Sequence, residues 1–85
     1  DLAIIMALMS SYKDRPVDSK MLIFGEVGLS GEVRAVSQAG QRVNEAAKLG
    51  FTTCVLPKVC ADKIKPAEGI RLIGVSNVRE AIGIM

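Results

Sequence analysis

From Leu2 to Met9 every position is apolar (Leu-Ala-Ile-Ile-Met-Ala-Leu-Met), and most of these residues are good helix formers, so residues 1–13 are expected to form a helix. Apolar side chains point all round it until Ser10, which predicts burial on most of its faces. Asp14-Arg15-Pro16 ends it, because the residue before a proline is pushed out of the helical region. Residues 21–24 are apolar at consecutive positions, the pattern of a strand covered on both faces. Val33-Arg34-Ala35-Val36 alternates instead and predicts a second, half-exposed strand. Between the two lies Gly-Glu-Val-Gly-Leu-Ser-Gly-Glu, whose turn is expected at Ser30-Gly31, so the segment reads as a hairpin.

Beyond Val36 the period lengthens. Ser37 can cap a helix over residues 38–49, with Ala39, Val43, Ala46 and Ala47 on one face and Gly50 as its stop. Residues 51–56 make a strand closed by Pro57, and residues 59–64 a short helix, with Pro66 and Gly69 in the loop after it. Residues 71–75 are the next strand. Asn77 with Glu80 three positions later is a capping-box start for a last helix. The order strand, helix, strand, helix, strand, helix from Val33 onward predicts a layered α/β (α+β) domain, a mixed sheet with helices whose strands are at least partly parallel.

Composition narrows this picture. Eighty-five residues make one domain at most, and one of marginal size for a self-sufficient core. With 49% hydrophobic residues and only three aromatics (Tyr12, Phe24, Phe51), that core must be aliphatic. A mean hydropathy of +0.33 is high for so short a chain and predicts apolar surface turned toward a partner. Net charge is +2, and the one local basic cluster, Lys13, Arg15 and Lys20, is interrupted by Asp14 and Asp18, as in a solvated loop. The apolar run at the start is far shorter than the roughly 20 residues that span a bilayer, and it lacks the flanks of a signal peptide. A cytoplasmic protein with no membrane partner is the expectation. Cys54 and Cys60 form no metal pattern, histidine is absent, and free thiols are expected in preference to a single disulfide.

The segment Phe24 to Val36 holds two Gly-Glu-Val triplets six residues apart, which raises the question of a phosphate loop. Such a loop needs its glycines immediately before a helix and a lysine to meet the phosphate. Here Gly25, Gly28 and Gly31 run into a strand and no Gly-Lys-Ser/Thr follows, so the segment reads as a hairpin in preference to a nucleotide-binding loop. Glu26 and Glu32 are hairpin residues without a nucleophile or metal partner in the pattern.

Phe24-Gly25-Glu26-Val27-Gly28-Leu29-Ser30-Gly31-Glu32-Val33 resembles the Gly-Glu-(Ile/Val)-x-Leu-x-Gly-x-Val segment of Lon-type peptidase domains. The likeness continues through Glu45-Ala46-Ala47-Lys48-Leu49-Gly50-Phe51 into Val55-Leu56-Pro57, and back through the first helix to Arg15-Pro16-Val17. Within that superfamily the wording SSYKDRPV, GEVRAVSQAGQRVNEAAKLGF and GVSNVREAI resembles the C-terminal Lon-like domain of the bacterial RadA/Sms DNA-repair family. The resemblance implies a Lon-protease-like fold in which residues 1–85 are the C-terminal part of the domain, with further strands ahead of the first helix. Several large side chains of that helix would then lack cover, and the chain is expected to self-associate or to expose apolar surface.

Lon peptidases use a Ser–Lys dyad. The resemblance places the serine two positions before Asp1 and puts Arg42 at the lysine position, with Gly40 where the family's run has its first lysine. A dyad needs a lysine that can lose its proton, and a guanidinium with a pKa above about 12 cannot act as that base. The implied segment is therefore not an enzyme and has no catalytic residues, no metal and no cofactor of its own. Its parent would carry a zinc-finger module and a RecA-like ATPase using ATP, Mg and Zn, and would process branched DNA as a homo-oligomeric ring. In that setting the domain would serve as scaffold and weak DNA contact through Arg34, Arg42, Lys48 and Lys58. The plainer reading of Arg42 is a solvated helix residue paired with Glu45 three positions on. Two rivals are the C-terminal fragment of an ATP-dependent Lon-type serine protease, against which Arg42 and Asp1 both speak, and a small independent α/β binding module.

Overall fold

The computed structural model describes residues 2–13, 20–65 and 69–84. In chain order these form α1 (Leu2–Lys13), β1 (Met21–Ile23), β2 (Glu26–Val27), β3 (Val33–Arg34), α2 (Ala39–Lys48), β4 (Thr53–Pro57), α3 (Lys58–Ala61), β5 (Arg71–Val75) and α4 (Val78–Ile82). β4 is the centre of a parallel sheet ordered β1-β4-β5, with Leu22 opposite Cys54 and Cys54 opposite Leu72. The expected single mixed sheet is instead two sheets, because the antiparallel pair β2–β3 stands apart.

Alternation along the strands builds two cores. Cys54 and Leu56 of β4 face one side, where α2 contributes Ala39, Val43 and Ala46 at helical spacing and α3 contributes Cys60. Val55 and Val75 face the other side and meet Leu2 and Met6 of α1, Ala81 of α4 and Val33 of the hairpin. The result is three layers, helices covering both faces of the sheet, as a parallel sheet requires. Each fully buried aliphatic side chain here, such as Val43, Val55 or Leu56, contributes about 1.5–3 kcal/mol.

Local signals hold where they are self-contained. α2 ends in a Schellman motif on Gly50 (φ 94°), with Phe51 N–H donating to Ala46 C=O at 3.1 Å and Gly50 N–H to Ala47 C=O at 3.2 Å. Asn77 caps α4 by accepting from Glu80 N–H at 2.9 Å, while the Glu80 carboxylate accepts from Ser76 N–H at 2.6 Å, one residue further back than a standard capping box.

Other expectations are corrected. Among its described side chains α1 buries only Leu2 and Met6 fully, and Ile4 and Leu8 stand 60% and 66% exposed, because a three-stranded sheet covers a single stripe of the helix. β1 does not pair with the strand at Val33. It runs parallel to β4, and the chain breaks direction at Gly25 before the short hairpin, in which Glu26 faces Arg34 and Val27 faces Val33. The turn centres on Leu29-Ser30, with Gly31 N–H donating to Gly28 C=O at 3.0 Å. Ser37 does not cap α2: Gln38 precedes the helix in a left-handed conformation (φ 58°) and gives no side-chain cap. β4 starts later than expected because Phe51 belongs to the helix stop, and α3 begins at Lys58, its turns continuing to Ile64 through three-residue hydrogen bonds. The basic cluster of Lys13 and Arg15, the Asp14-Arg15-Pro16 helix stop and the Pro66 loop lie outside the described residues or side chains. No helix among the described residues is long and apolar enough to cross a membrane.

Candidate functional site

Open parallel sheets bind ligands beyond the carboxyl ends of their strands. At the carboxyl end of β1 the backbone passes through Phe24 and Gly25 into the hairpin and returns through Ala35 to Ser37 on its way to α2. Hydrogen-bonded pairing of these two segments stops at Glu26 and Arg34, so they diverge, and a cleft of about 350 Å³ opens between them and the first turn of α2. Glu26, Ser37 and Arg42 supply its side-chain polarity, and exposed backbone supplies much of the rest.

Arg42 is placed by two facts of sequence. Ala39, Val43 and Ala46 turn into the core, which turns position 42 out beside the cleft. Phe24, at the end of β1, is held in that same core and is only 8% exposed, so its ring is a fixed shelf. The Arg42 guanidinium lies over it, 5.6 Å from the ring centroid, a cation–π contact worth about 0.5–1 kcal/mol at an exposed site. The expected pairing of Arg42 with Glu45 is not formed: Glu45 accepts from Gln41 Nε2 at 3.4 Å, and among the described residues no carboxylate pairs with Arg42. Stacked guanidinium edges remain open toward the cleft. Such an arrangement can receive an anion but cannot accept a proton from a nucleophile.

The other sequence-predicted basic residues do not gather there. Arg34 is answered by Glu32 at 3.1 Å. The Glu32 carboxylate folds against Gly28, and a hydrogen bond at its own backbone N–H, then Arg34 and the Ser30 N–H at 3.2 Å, hold its pKa below the ordinary carboxylate value. Lys48 is six residues beyond Arg42, about 9 Å along the helix axis, at the end of α2 that leads into the start of β4. Lys58 opens α3 and lines a separate cleft with Arg71. Phe24 and Arg71 were missed as site residues: one read only as a strand end and the other as a strand start, and parallel pairing with β4 is what brings each to its place.

Both cysteines are free and buried. Desolvation pushes the Cys54 thiol up to about 11, and the Cys60 Sγ donates to the Val36 carbonyl at 3.7 Å. Among the described residues no three His, Cys, Asp or Glu side chains are grouped to hold a metal ion.

Comparison with known proteins gives two findings. A family model described as subunit ChlI of Mg-chelatase matches residues 1–59. The chain is also 49% identical over 82 residues to the DNA repair protein RadA of Bacillus subtilis, covering 96% of this chain and 18% of that protein. To the DNA repair protein RadA of Streptococcus pneumoniae it is 45% identical over 96% of the chain and 20% of that protein. To that of Salmonella typhimurium it is 42% identical over 99% of the chain and 18% of that protein. The chain thus spans about a fifth of the length of the curated relatives it matches.

Proposed function

The chain belongs to the ChlI family, described as subunit ChlI of Mg-chelatase, and from that premise we propose that it is a non-peptidase, Lon-like scaffold and DNA-contact domain of a RadA-type repair protein. The repair relatives are followed rather than the chelatase because they match 96–99% of the chain, β5 and α4 included, whereas the family model stops at residue 59. One observation carries the site reading: Arg42 stacked on Phe24 beside a polar cleft that Glu26 also lines, with no carboxylate among the described residues ion-paired to it. A guanidinium so placed suits a phosphate of the nucleic-acid backbone. The same residue, at the position where the resemblance puts a dyad lysine, argues against the alternative of a Lon-type serine protease fragment.

In this proposal residues 1–85 form the C-terminal part of a Lon-like domain in a cytoplasmic protein. Strands ahead of α1 cover Ile4 and Leu8, and the parent assembles as a homo-oligomeric ring on branched DNA. ATP, Mg and Zn belong to the parent's other modules. This chain's own residues do not fit a zinc site, since it has no histidine and its described ligand-type residues are not clustered. Arg42 is the principal contact, with Arg34, Lys48 and Lys58 adding only to the general field. Fluorescence anisotropy of a labelled single-stranded oligonucleotide across a salt series tests this. Weak, steeply salt-dependent binding is expected, and Arg42→Ala should lower affinity and reduce the salt slope by about one unit. An unchanged slope would remove Arg42 from the contact, and peptide hydrolysis abolished by Arg42→Ala would reinstate the protease.

A further inference from the structure

Strand β5 has a neighbour on one side only. Its parallel ladder to β4 runs from Arg71 opposite Thr53 to Val75 opposite Pro57, and Arg71 N–H donates to Thr52 C=O at 2.9 Å. In a parallel strand alternate residues direct their backbone groups to the same neighbour. Arg71, Ile73 and Val75 therefore serve β4, and the N–H and C=O groups of Leu72 and Gly74 face outward. Among the described residues no hydrogen bond reaches those outward groups, and Gly74 is exposed.

Beside this edge runs a cleft of about 500 Å³ between β5 and α3. Its floor is apolar (Ile64, Ile70, Leu72), and its rim carries Lys58 and Arg71, both exposed. Neither has an ion-pair partner among the described residues; Asp62 also lines the cleft, and over residues 58–71 of the sequence Lys58, Lys63, Lys65 and Arg71 outnumber Asp62 and Glu68 by four to two. Gly74 fixes the cleft's wall: a Cβ there would stand 3.0 Å from Lys58 Cα and 3.1 Å from Ala61 Cβ, so α3 packs directly on the strand.

We propose that the free edge of β5 accepts an extended acidic peptide as a fourth strand, with Lys58 and Arg71 pairing its carboxylates. Three features fix that occupant. The edge offers donors and acceptors in alternation at the strand repeat, which a polypeptide answers group for group. A phosphate backbone brings only acceptors and leaves the Leu72 and Gly74 carbonyls unmet. A second copy of this chain would set Lys58 and Arg71 against their own counterparts, and charged edges of this kind disfavour self-pairing.

The test uses the ¹⁵N-labelled chain and three probes: a capped hexapeptide alternating glutamate and valine, its lysine–valine counterpart, and an oligothymidine of similar length. The glutamate peptide should bind and slow amide exchange at Leu72 and Gly74, leaving Arg71 and Ile73, already bonded to β4, unchanged. The double variant Lys58→Glu/Arg71→Glu changes two exposed side chains, and circular dichroism checks that it stays folded. It should weaken the glutamate peptide about tenfold or more and favour the lysine peptide. The proposal is overturned by absence of binding, by binding that leaves the Leu72 and Gly74 amides unprotected, by equal binding to the double variant, or by oligothymidine protecting those amides in preference to the peptide.

Discussion

Replacing Gly25 by alanine should be among the most damaging single-methyl additions in this chain. Gly25 sits where β1 leaves the sheet, with φ at 153°, and its carbonyl accepts the Leu2 N–H at 3.0 Å. An added Cβ would lie 3.1 Å from Val33 Cγ1, 3.4 Å from Pro57 Cγ and 3.5 Å from Leu2 Cδ2. All three neighbours are buried, on β3, β4 and α1, and the 3.1 Å approach to Val33 is the one tighter than ordinary van der Waals contact. Backbone strain of about 1–3 kcal/mol and overpacking of similar size give an expected loss of about 3 kcal/mol. For 85 residues the whole stability is about 4–13 kcal/mol. Gly31 is the control: its φ is 81°, yet nothing lies within 4 Å of an added Cβ, so Gly31→Ala should cost only the strain, about 1 kcal/mol. Urea unfolding followed by circular dichroism measures both. With a slope of about 1–1.5 kcal/mol per molar, Gly25→Ala should lower the midpoint by about 2–3 M and Gly31→Ala by less than about 1 M. Equal shifts for the two variants would refute the convergence of α1, the hairpin and β4 on Gly25.

Cys54 predicts an alkaline limb of stability. Its thiol holds its proton up to about pH 11 in the folded chain against 9.0 ordinarily, so its contribution is full below pH 9 and is lost as pH rises through the folded value, about 2–3 kcal/mol in all. Urea midpoints between pH 7 and 11 should therefore fall more steeply for the wild type than for Cys54→Ala, and parallel curves would contradict the buried thiol. At α1, Ile4→Glu/Leu8→Glu should leave the unfolding midpoint nearly unchanged, since both positions are exposed, while removing concentration-dependent association in sedimentation. A wild type that stays monomeric and binds no apolar-surface dye would show that this stripe needs no cover.

What the sequence made legible follows how local each signal is. Gly50 as a helix stop, the Asn77–Glu80 cap and strand 71–75 rest on residues within one turn or one strand of each other, and all three stand. The partner of β1 was not legible, because Met21 pairs with Thr53, over thirty residues on, while the twin Gly-Glu-Val pattern favours the nearer hairpin. Burial of α1 was overstated because periodicity reports which residues are apolar and not how many neighbours exist to cover them. Arg42 could be named in advance from its place in the resemblance. Its stacking on Phe24, and the loss of Glu45 to Gln41, depend on where β1 meets α2, which no local pattern records.

The most direct test of the proposed DNA contact is an amide and side-chain shift map of the labelled chain titrated with a single-stranded oligonucleotide at low salt. The cleft at the end of β1 predicts the largest changes at Phe24, Glu26, Ser37 and the Arg42 guanidinium, all abolished by Arg42→Gln and reversed by added salt. Changes centred instead on Lys48 or on Lys58 and Arg71, or a map that survives Arg42→Gln, would contradict it.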